Sequence, residues 1–177
     1  MILHIPHASR EIPAGLRDQI VLTDDELASK LLAMTDAFTD HLFTCRGATR
    51  VVFPVSRLVV DPERLRDDGE ETMFQICVGT DPFHTPESLK QATIEAIRRQ
   101  GFRVEENRPY AGTLVPAAYY RIDRRVWSIM IEVCRDLYMD EKSGSMNENF
   151  FRLHLEVEEL LKNLLHAAAG KPGWGEF

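Results

Sequence analysis

The spacing of hydrophobic and polar positions predicts a chain in which strands and helices alternate. Short apolar runs rich in β-branched residues predict strands at positions 2–5, 50–54, 58–60, 76–78, 102–106 and 127–134. Apolar residues at helical spacing predict three helices, which cover positions 23–47, 85–101 and 150–170. This alternation favours an α/β domain with a mixed, largely parallel sheet flanked by helices on both faces.

Three of these elements carry more specific predictions. The first helix is expected to begin at Thr23, which forms a capping box with Glu26. The second is expected to begin with Thr85 as its N-cap residue. The segment at 127–134 is almost continuously apolar but contains one carboxylate, Glu132. A run of this kind is typical of a central strand that is buried on both faces.

Length and composition limit the classes of protein to which the chain can belong. Its 177 residues suit a single domain, 1–177, that buries its own core. The net charge is −7 and no run is rich in Lys or Arg, so we expect no nucleic-acid partner. Three widely spaced cysteines without a CxxC pair disfavour a disulfide framework. Since there is no signal-peptide pattern and no apolar run of about 18 residues, we expect a cytoplasmic protein without a membrane partner.

Histidine and aspartate residues in the first half of the chain are candidate metal ligands. His7 follows the first predicted strand, and ligands bind beyond strand ends in open α/β sheets. Asp36 and Asp40 lie four positions apart on one face of the first helix, and Asp36 borders its apolar stripe, where a carboxylate needs a cation as partner. His4 and His84 are further possible ligands. The alternatives are core or loop histidines, a cap contact for His84, and a solvated helix face.

A second group of charged residues could bind a substrate and activate water. Arg57 could bind a substrate carboxylate through two hydrogen bonds, with Asp61 holding it in place, and the alternative is a surface ion pair. Glu132 lies among apolar residues, where desolvation makes a carboxylate a stronger base. The alternative is that Glu132 points outwards and pairs with Arg135. Together these residues describe metal-assisted hydrolysis of an acidic small molecule.

Six blocks of the sequence resemble, in the same order, motifs of the N-formylglutamate amidohydrolase family. They are HIPHASREIP, TDAFTDHLF, SRLVVDPERLRDD, VGTDPFHTPESL, ENRPYAG and IMIEVCRDLYMDE. The similarity extends over residues 2–160, nearly the whole chain. That family is similar to zinc carboxypeptidases and aspartoacylases, so the resemblance implies a zinc carboxypeptidase-like α/β fold.

The resemblance also implies an activity and a set of site residues. The implied reaction is zinc-dependent hydrolysis of N-formyl-L-glutamate, or of a related N-acyl amino acid, to the free amino acid and formate or another carboxylate. The partner would be a small anionic N-acyl amino acid. Carried over by motif, the metal residues are His7 and Asp36, the general base is Glu132, and Arg57 and Asn107 contact substrate. His84 is added as a substitute metal ligand and Arg135 as a further substrate contact.

One stretch of the family pattern is absent from the sequence around Met73 and Phe74. Family members carry there a strand that ends in an Asp-x-His-Ser motif, whose histidine is an expected zinc ligand. Because catalytic zinc is usually held by three protein ligands, His84 or His4 would have to replace it. The sheet would lose a strand, and a homo-oligomer or a loop would cover the edge. The alternative to an active enzyme is an inactive relative that binds an acidic ligand or a protein partner.

Overall fold

The structure is a computed structural model that describes residues 1–62 and 74–169. Its strands are β1 (Ile2–Ile5), β2 (Thr49–Val52), β3 (Ile76–Gly79), β4 (Val104–Glu106), β5 (Met130–Val133), β6 (Met139–Asp140) and β7 (Ser145–Met146). Its helices are α1 (Ala14–Arg17), α2 (Asp24–Met34), α3 (Thr39–Leu42), α4 (Glu87–Arg99) and α5 (Phe150–Ala169), with a 3-10 helix at Arg135–Leu137. Most of the charged loop expected at 61–72 and the tail at 171–177 lie outside the described residues.

The chain divides into two compact units. The first contains Met1–Arg64 and Arg135–Glu158, and the second contains Leu65–Cys134 and Glu159–Phe177. Helix α5 contributes residues 150–158 to the first unit and 159–169 to the second. A single domain stays a prediction.

Parallel and antiparallel strand pairs occur together, as the sequence predicts. β1 pairs in parallel with β2, and β3 pairs in parallel with β4 but antiparallel with β5. β6 and β7 form an antiparallel pair. The α/β class with mixed strands is confirmed, although the described strands form three small sheets rather than one.

Helix α2 begins as predicted but ends earlier. Thr23 and Glu26 form the capping box, in which the Thr23 N–H donates to Glu26 Oε2 at 2.8 Å. The prediction of one helix as far as position 47 is wrong, because Thr35 adopts an extended conformation. The Asp36 N–H then donates to the carbonyl of His7 instead of continuing the helix. The break places α3 after Phe38, whose φ is +67°.

The central strand of the second unit is β3. It pairs on both edges and is buried at every residue, whereas β5 lies at an edge of the described sheet and only its Met130 is buried. The prediction that segment 127–134 is the central strand is therefore wrong. β3 gains this burial because its apolar side chains share one core with α4 and α5. The core residues are Ile76, Val78, Ile94, Ala96, Ile97, Leu160 and Leu164.

Two further sequence predictions need correction. Segment 58–60 forms a turn rather than a strand. The N-cap residue of α4 is Pro86, not Thr85, because the Thr85 hydroxyl accepts a hydrogen bond from the Asp81 N–H and donates to the Ser128 carbonyl. Among the described residues, no helix combines the length and the apolar character that crossing a membrane requires.

Candidate functional site

A buried histidine lies between two carboxylates in the first unit. β1 ends at Ile5, and two residues later the side chain of His7 is 10% exposed. Its Nε2 lies 2.9 Å from Asp61 Oδ1, and its Nδ1 lies 3.5 Å from Asp36 Oδ2. Because the Asp36 N–H also donates to the His7 carbonyl at 3.0 Å, the end of α2 is fixed beside the imidazole.

Arg57 extends this arrangement to four charged side chains. Its Nε and Nη2 donate to Asp61 Oδ2 at 3.2 and 2.8 Å, which is the contact that the sequence suggested. Asp61 therefore binds Arg57 through one oxygen and His7 through the other. We refer to Asp36, His7, Asp61 and Arg57 as the His7 cluster.

The surroundings of the His7 cluster favour a protonated imidazole. Burial lowers the pKa of His7, but hydrogen bonds to Asp36 and Asp61 outweigh it, and the net pKa lies above the ordinary value of 6.5. The nearby Arg57 opposes this effect. The pKa of His4 is lowered, first by burial and then by the charge of His7.

Two donor atoms of the His7 cluster are spaced as two ligands of a zinc ion would be. Zinc bonds of about 2.0–2.1 Å in a tetrahedron separate two ligand atoms by about 3.3–3.4 Å. His7 Nδ1 and Asp36 Oδ2 are 3.5 Å apart, and His7 Nε2 would donate to Asp61, as metal-bound histidines commonly do to carboxylates. In the described part of the chain, no group of three or more His, Cys, Asp or Glu side chains could hold a metal ion. The cluster thus offers two ligands rather than three.

Asp40 does not share a helix face with Asp36, contrary to the sequence prediction. The chain leaves the helix at Thr35, so Asp36 lies between α2 and α3, and Asp40 belongs to α3. Asp40 Oδ2 lies 3.7 Å from Nε2 of His41, an exposed side chain. Only Asp36 of this pair belongs to the His7 cluster.

Arg135 holds the C-terminal end of α2. Its Nη1 donates to the Ala33 carbonyl at 2.7 Å, and its Nη2 lies 2.6 Å from Glu141 Oε2. The last carbonyls of a helix lack helical partners, and arginine often supplies the missing hydrogen bond. Because its guanidinium is engaged in this way, the geometry gives no support to Arg135 as a substrate contact.

His84, a predicted metal ligand, uses both ring nitrogens to hold backbone in the second unit. The side chain is fully buried. Its Nδ1 lies 2.8 Å from the Val126 carbonyl, and its Nε2 accepts the Arg121 N–H at 2.8 Å. These two bonds require the tautomer with the proton on Nδ1. A metal would have to displace one of them, so the geometry disfavours His84 as a ligand.

Asn107 fixes a turn at the end of β4. Its φ is +53°, its side-chain oxygen accepts the Thr80 N–H at 2.9 Å, and its Nδ2 donates to Thr80 Oγ1 at 2.8 Å. Its own N–H donates to the Val78 carbonyl at 2.9 Å. Asparagine tolerates the left-handed region better than most residues. The structure therefore gives Asn107 a role in shaping backbone, and its predicted contact with substrate stays a prediction.

Glu132, the predicted general base, lies on β5 and is half-buried. In the antiparallel register it faces Cys77 of β3. Burial raises the pKa of the Cys77 thiol, and the negative charges of Glu132 and Glu105 raise it further. The carboxylate thus lies on the strand next to the buried strand β3, and its role as a general base stays a prediction.

A cavity in the second unit was not predicted from the sequence. It is open to the surface, has a volume of about 300 Å³, and is lined by Pro82, Phe83, Arg121 and Arg124. The segment YYRIDRR at 119–125 combines two tyrosines with three arginines, and this composition could have indicated a site for an anion.

An α/β fold with a buried histidine held between carboxylates defines a candidate hydrolytic enzyme. The sequence model of the N-formylglutamate amidohydrolase family matches residues 1–80 and 70–139. Because these segments cover most of its length, the chain belongs to that family, and it is an amidohydrolase that acts on C–N bonds. The two matches overlap at 70–80, the region in which one stretch of the family pattern is absent from the sequence.

A solved structure supports the fold. The crystal structure of N-formylglutamate amidohydrolase from Ralstonia eutropha JMP134, at 2.00 Å resolution, matches with a TM-score of 0.76 and 18% sequence identity. The alignment covers 94% of this chain and 92% of that chain. No curated protein matches the chain by sequence.

Proposed function

We propose that the protein is a zinc-dependent amidohydrolase that cleaves N-formyl-L-glutamate or a related N-acyl amino acid. The products would be the free amino acid and formate, or another carboxylate. The observation that carries the proposal is the position of His7 between Asp36 and Asp61 in a chain of the N-formylglutamate amidohydrolase family. From the sequence alone, we further propose a cytoplasmic location.

His7 and Asp36 are the proposed holders of the metal. Asp61 would accept the N–H of His7 Nε2 and so fix the tautomer and the orientation of the ring. Arg57 holds Asp61 in turn through two hydrogen bonds to Oδ2. Zinc, when bound, would polarise the acyl carbonyl and lower the pKa of a water molecule.

Glu132 is the proposed general base. It would take a proton from the attacking water and pass it to the amide nitrogen as the C–N bond breaks. Its half-buried position on the apolar strand β5 supports this role, because desolvation makes a carboxylate a stronger base.

The proposed substrate is a small anion, and Arg57 is its first proposed contact. Arg57 uses Nε and Nη2 for Asp61, while Nη1 makes no hydrogen bond to any residue that the structure describes. This nitrogen could donate to a substrate carboxylate.

A catalytically inactive relative that binds an acidic ligand or a protein partner is the second candidate. The observation in its favour is that the described residues supply two metal ligands, whereas catalytic zinc usually has three from the protein. An inactive relative would gain thermal stability from N-formyl-L-glutamate without releasing formate.

Zinc content tests the metal site directly. Wild type, His7→Ala and the control His166→Ala would be loaded with zinc, desalted and analysed for metal. His166 lies on the exposed side of α5. About one zinc per chain in wild type and control, lost in His7→Ala, supports the site. Wild type that retains no zinc would contradict it.

Formate release from N-formyl-L-glutamate tests the reaction. We expect Glu132→Gln to lower the rate by about 100-fold or more, because the amide cannot accept the proton. Glu95→Gln, which changes an exposed carboxylate of α4, is the matched control and should keep the wild-type rate. Equal rates in wild type and Glu132→Gln would exclude the proposed role of Glu132.

A further inference from the structure

The cavity of the second unit has a rigid wall at the turn 81–85. Asp81 Oδ1 accepts the N–H groups of Phe83 and His84 at 2.8 and 3.0 Å. Thr85 Oγ1 accepts the Asp81 N–H at 2.9 Å and donates to the Ser128 carbonyl at 2.7 Å. These bonds fix Phe83, whose ring lines the cavity.

The second lining segment, at 121–126, is held at both ends by one buried side chain. His84 Nε2 accepts the Arg121 N–H, and His84 Nδ1 donates to the Val126 carbonyl, each at 2.8 Å. The φ of Arg121 is +55°, a conformation that costs free energy for a residue with a side chain. The imidazole therefore supports the loop at a residue whose backbone conformation is costly.

Two arginines of this loop border the cavity, and neither forms an ion pair with an acidic side chain among the described residues. The Cζ atom of Arg124 lies 4.1 Å from the ring centroid of Phe83, and that of Arg121 lies 5.3 Å from the ring centroid of Tyr120. Neither makes an ion pair with a residue in the described ranges. A guanidinium that stacks on a ring keeps the N–H donors along its edge available.

The acidic residue of this loop, Asp123, is paired with Arg125. Asp123 accepts hydrogen bonds from the Arg125 backbone N–H, Nε and Nη2 at 2.9, 3.0 and 2.7 Å. These contacts lower the pKa of Asp123 to about 2. Asp123 is thus paired with Arg125 rather than with Arg121 or Arg124, and these two arginines carry positive charge in a chain whose net charge is −7.

We propose that this cavity is a binding site for the carboxylate groups of a small dicarboxylic acid. Two planar guanidinium groups beside aromatic rings can donate to planar carboxylates, and an open pocket of about 300 Å³ admits a ligand of that size. The presence of an anion site rests on this geometry. The choice of a dicarboxylate rests on the proposed function, because N-formyl-L-glutamate and its product glutamate each carry two carboxylates.

Glutarate is the appropriate probe because it has two carboxylates and no amide bond. The binding of glutarate therefore does not depend on turnover. It can be measured even if the protein does not hydrolyse N-formyl-L-glutamate. Isothermal titration calorimetry would compare wild type with Arg121→Gln and Arg124→Gln. Arg99→Gln is the control, because it removes the same positive charge from the exposed end of α4. Circular dichroism would verify that each variant folds.

We expect Arg121→Gln and Arg124→Gln each to raise the Kd for glutarate about tenfold or more, because each removes a charge-assisted hydrogen bond. Arg99→Gln should bind as wild type does, and Arg124→Lys, which keeps the charge but loses the planar donor pair, should bind with intermediate affinity. No binding by wild type, unchanged affinity in both glutamine variants, or equally tight binding of sulfate would overturn the proposal.

Discussion

At the scale of the residue, contacts distant in sequence decide what each charged side chain does. The sequence predicted that His7 and Asp36 are metal ligands and that Asp61 holds Arg57. It did not predict that Asp61 also contacts His7, because the two residues are separated by 54 positions and no local pattern reports such a contact. In this cluster, each charge that the fold buries is compensated by a neighbour of opposite sign.

The raised pKa of His7 makes stability depend on pH in a predictable direction. In metal-free protein, a histidine whose folded-state pKa is raised contributes stability fully below its unfolded value of about 6.5 and loses it as the pH rises through the folded-state pKa. We expect the free energy of unfolding to fall over that interval, and to fall less in Asp61→Asn. Urea unfolding across the interval measures the effect.

Asp25→Asn is the control for this measurement, since Asp25 is an exposed residue of α2. It should keep the pH dependence of wild type. If wild type and Asp61→Asn lost the same free energy over the interval, Asp61 would not be the group that raises the pKa of His7.

His84 and Asn107 show why residue type alone did not define the site. Both are polar side chains that could bind a ligand; His84 was predicted as a substitute metal ligand, and Asn107 was carried over from the family motif as a substrate contact. In the fold, each is hydrogen-bonded to backbone: His84 to Arg121 and Val126, Asn107 to Thr80. Buried polar groups must find hydrogen-bond partners, and such partners are often backbone groups that are distant in sequence.

At the scale of the element, local signals predicted the boundaries that depend on local contacts and missed those that tertiary contacts set. Thr23 and Glu26 marked the start of α2 because a capping box depends on residues three positions apart. Gly101, with a φ of +88°, follows the end of α4, close to position 101 where the sequence predicts that this helix ends. The end of α2 was missed, because the hydrogen bond from Asp36 to the His7 carbonyl is a tertiary contact.

The capping box of α2 gives the first element-scale prediction. Thr23→Ala removes the hydroxyl that accepts the Glu26 N–H, and we expect it to lower the free energy of unfolding by about 1 kcal/mol. Ser29→Ala, on the exposed side of the same helix, should cause no loss because alanine has the higher helix propensity. Chemical denaturation measures both variants, and an equal loss in the two would contradict the cap assignment.

A glycine at the end of β3 gives the second element-scale prediction. A Cβ atom at Gly79 would overlap the carbonyl oxygen of Gly112 and the side chain of Met130. We therefore expect Gly79→Ala to destabilise the protein by about 1–3 kcal/mol, as overpacking of a buried site does. A Cβ atom at Gly15 in α1 meets no neighbour, so Gly15→Ala should be neutral or stabilising in the same unfolding assay. Equal stability of the two variants would contradict the close approach at Gly79.

At the scale of the whole molecule, the order of motifs was the strongest signal. Six blocks in family order indicated the N-formylglutamate amidohydrolase family, and the matches at 1–80 and 70–139 confirm it. A zinc carboxypeptidase-like fold stays a prediction, as does the proposed metal.

Metal removal is the prediction that belongs to this scale. Zinc that binds only the folded protein, at about 100 times its Kd, should raise the free energy of unfolding by about 2.7 kcal/mol. We expect chelation to lower the Tm of the zinc-loaded protein and to leave the Tm of His7→Ala unchanged. His166→Ala should respond as wild type does. If chelation shifted the Tm of wild type and of His7→Ala equally, the zinc that stabilises the protein would not be bound at the His7 cluster.

The sequence by itself determined the α/β class, the family, the strands β1 and β3, the start of α2 and the pairing of Arg57 with Asp61. Each depends on local periodicity, short-range caps or the order of motifs. Only the tertiary structure decided that β3 rather than β5 is central, that Asp61 contacts His7, and that His84 holds a loop beside Arg121 and Arg124. These features arise from packing and hydrogen bonds between distant segments, which the local sequence pattern does not encode.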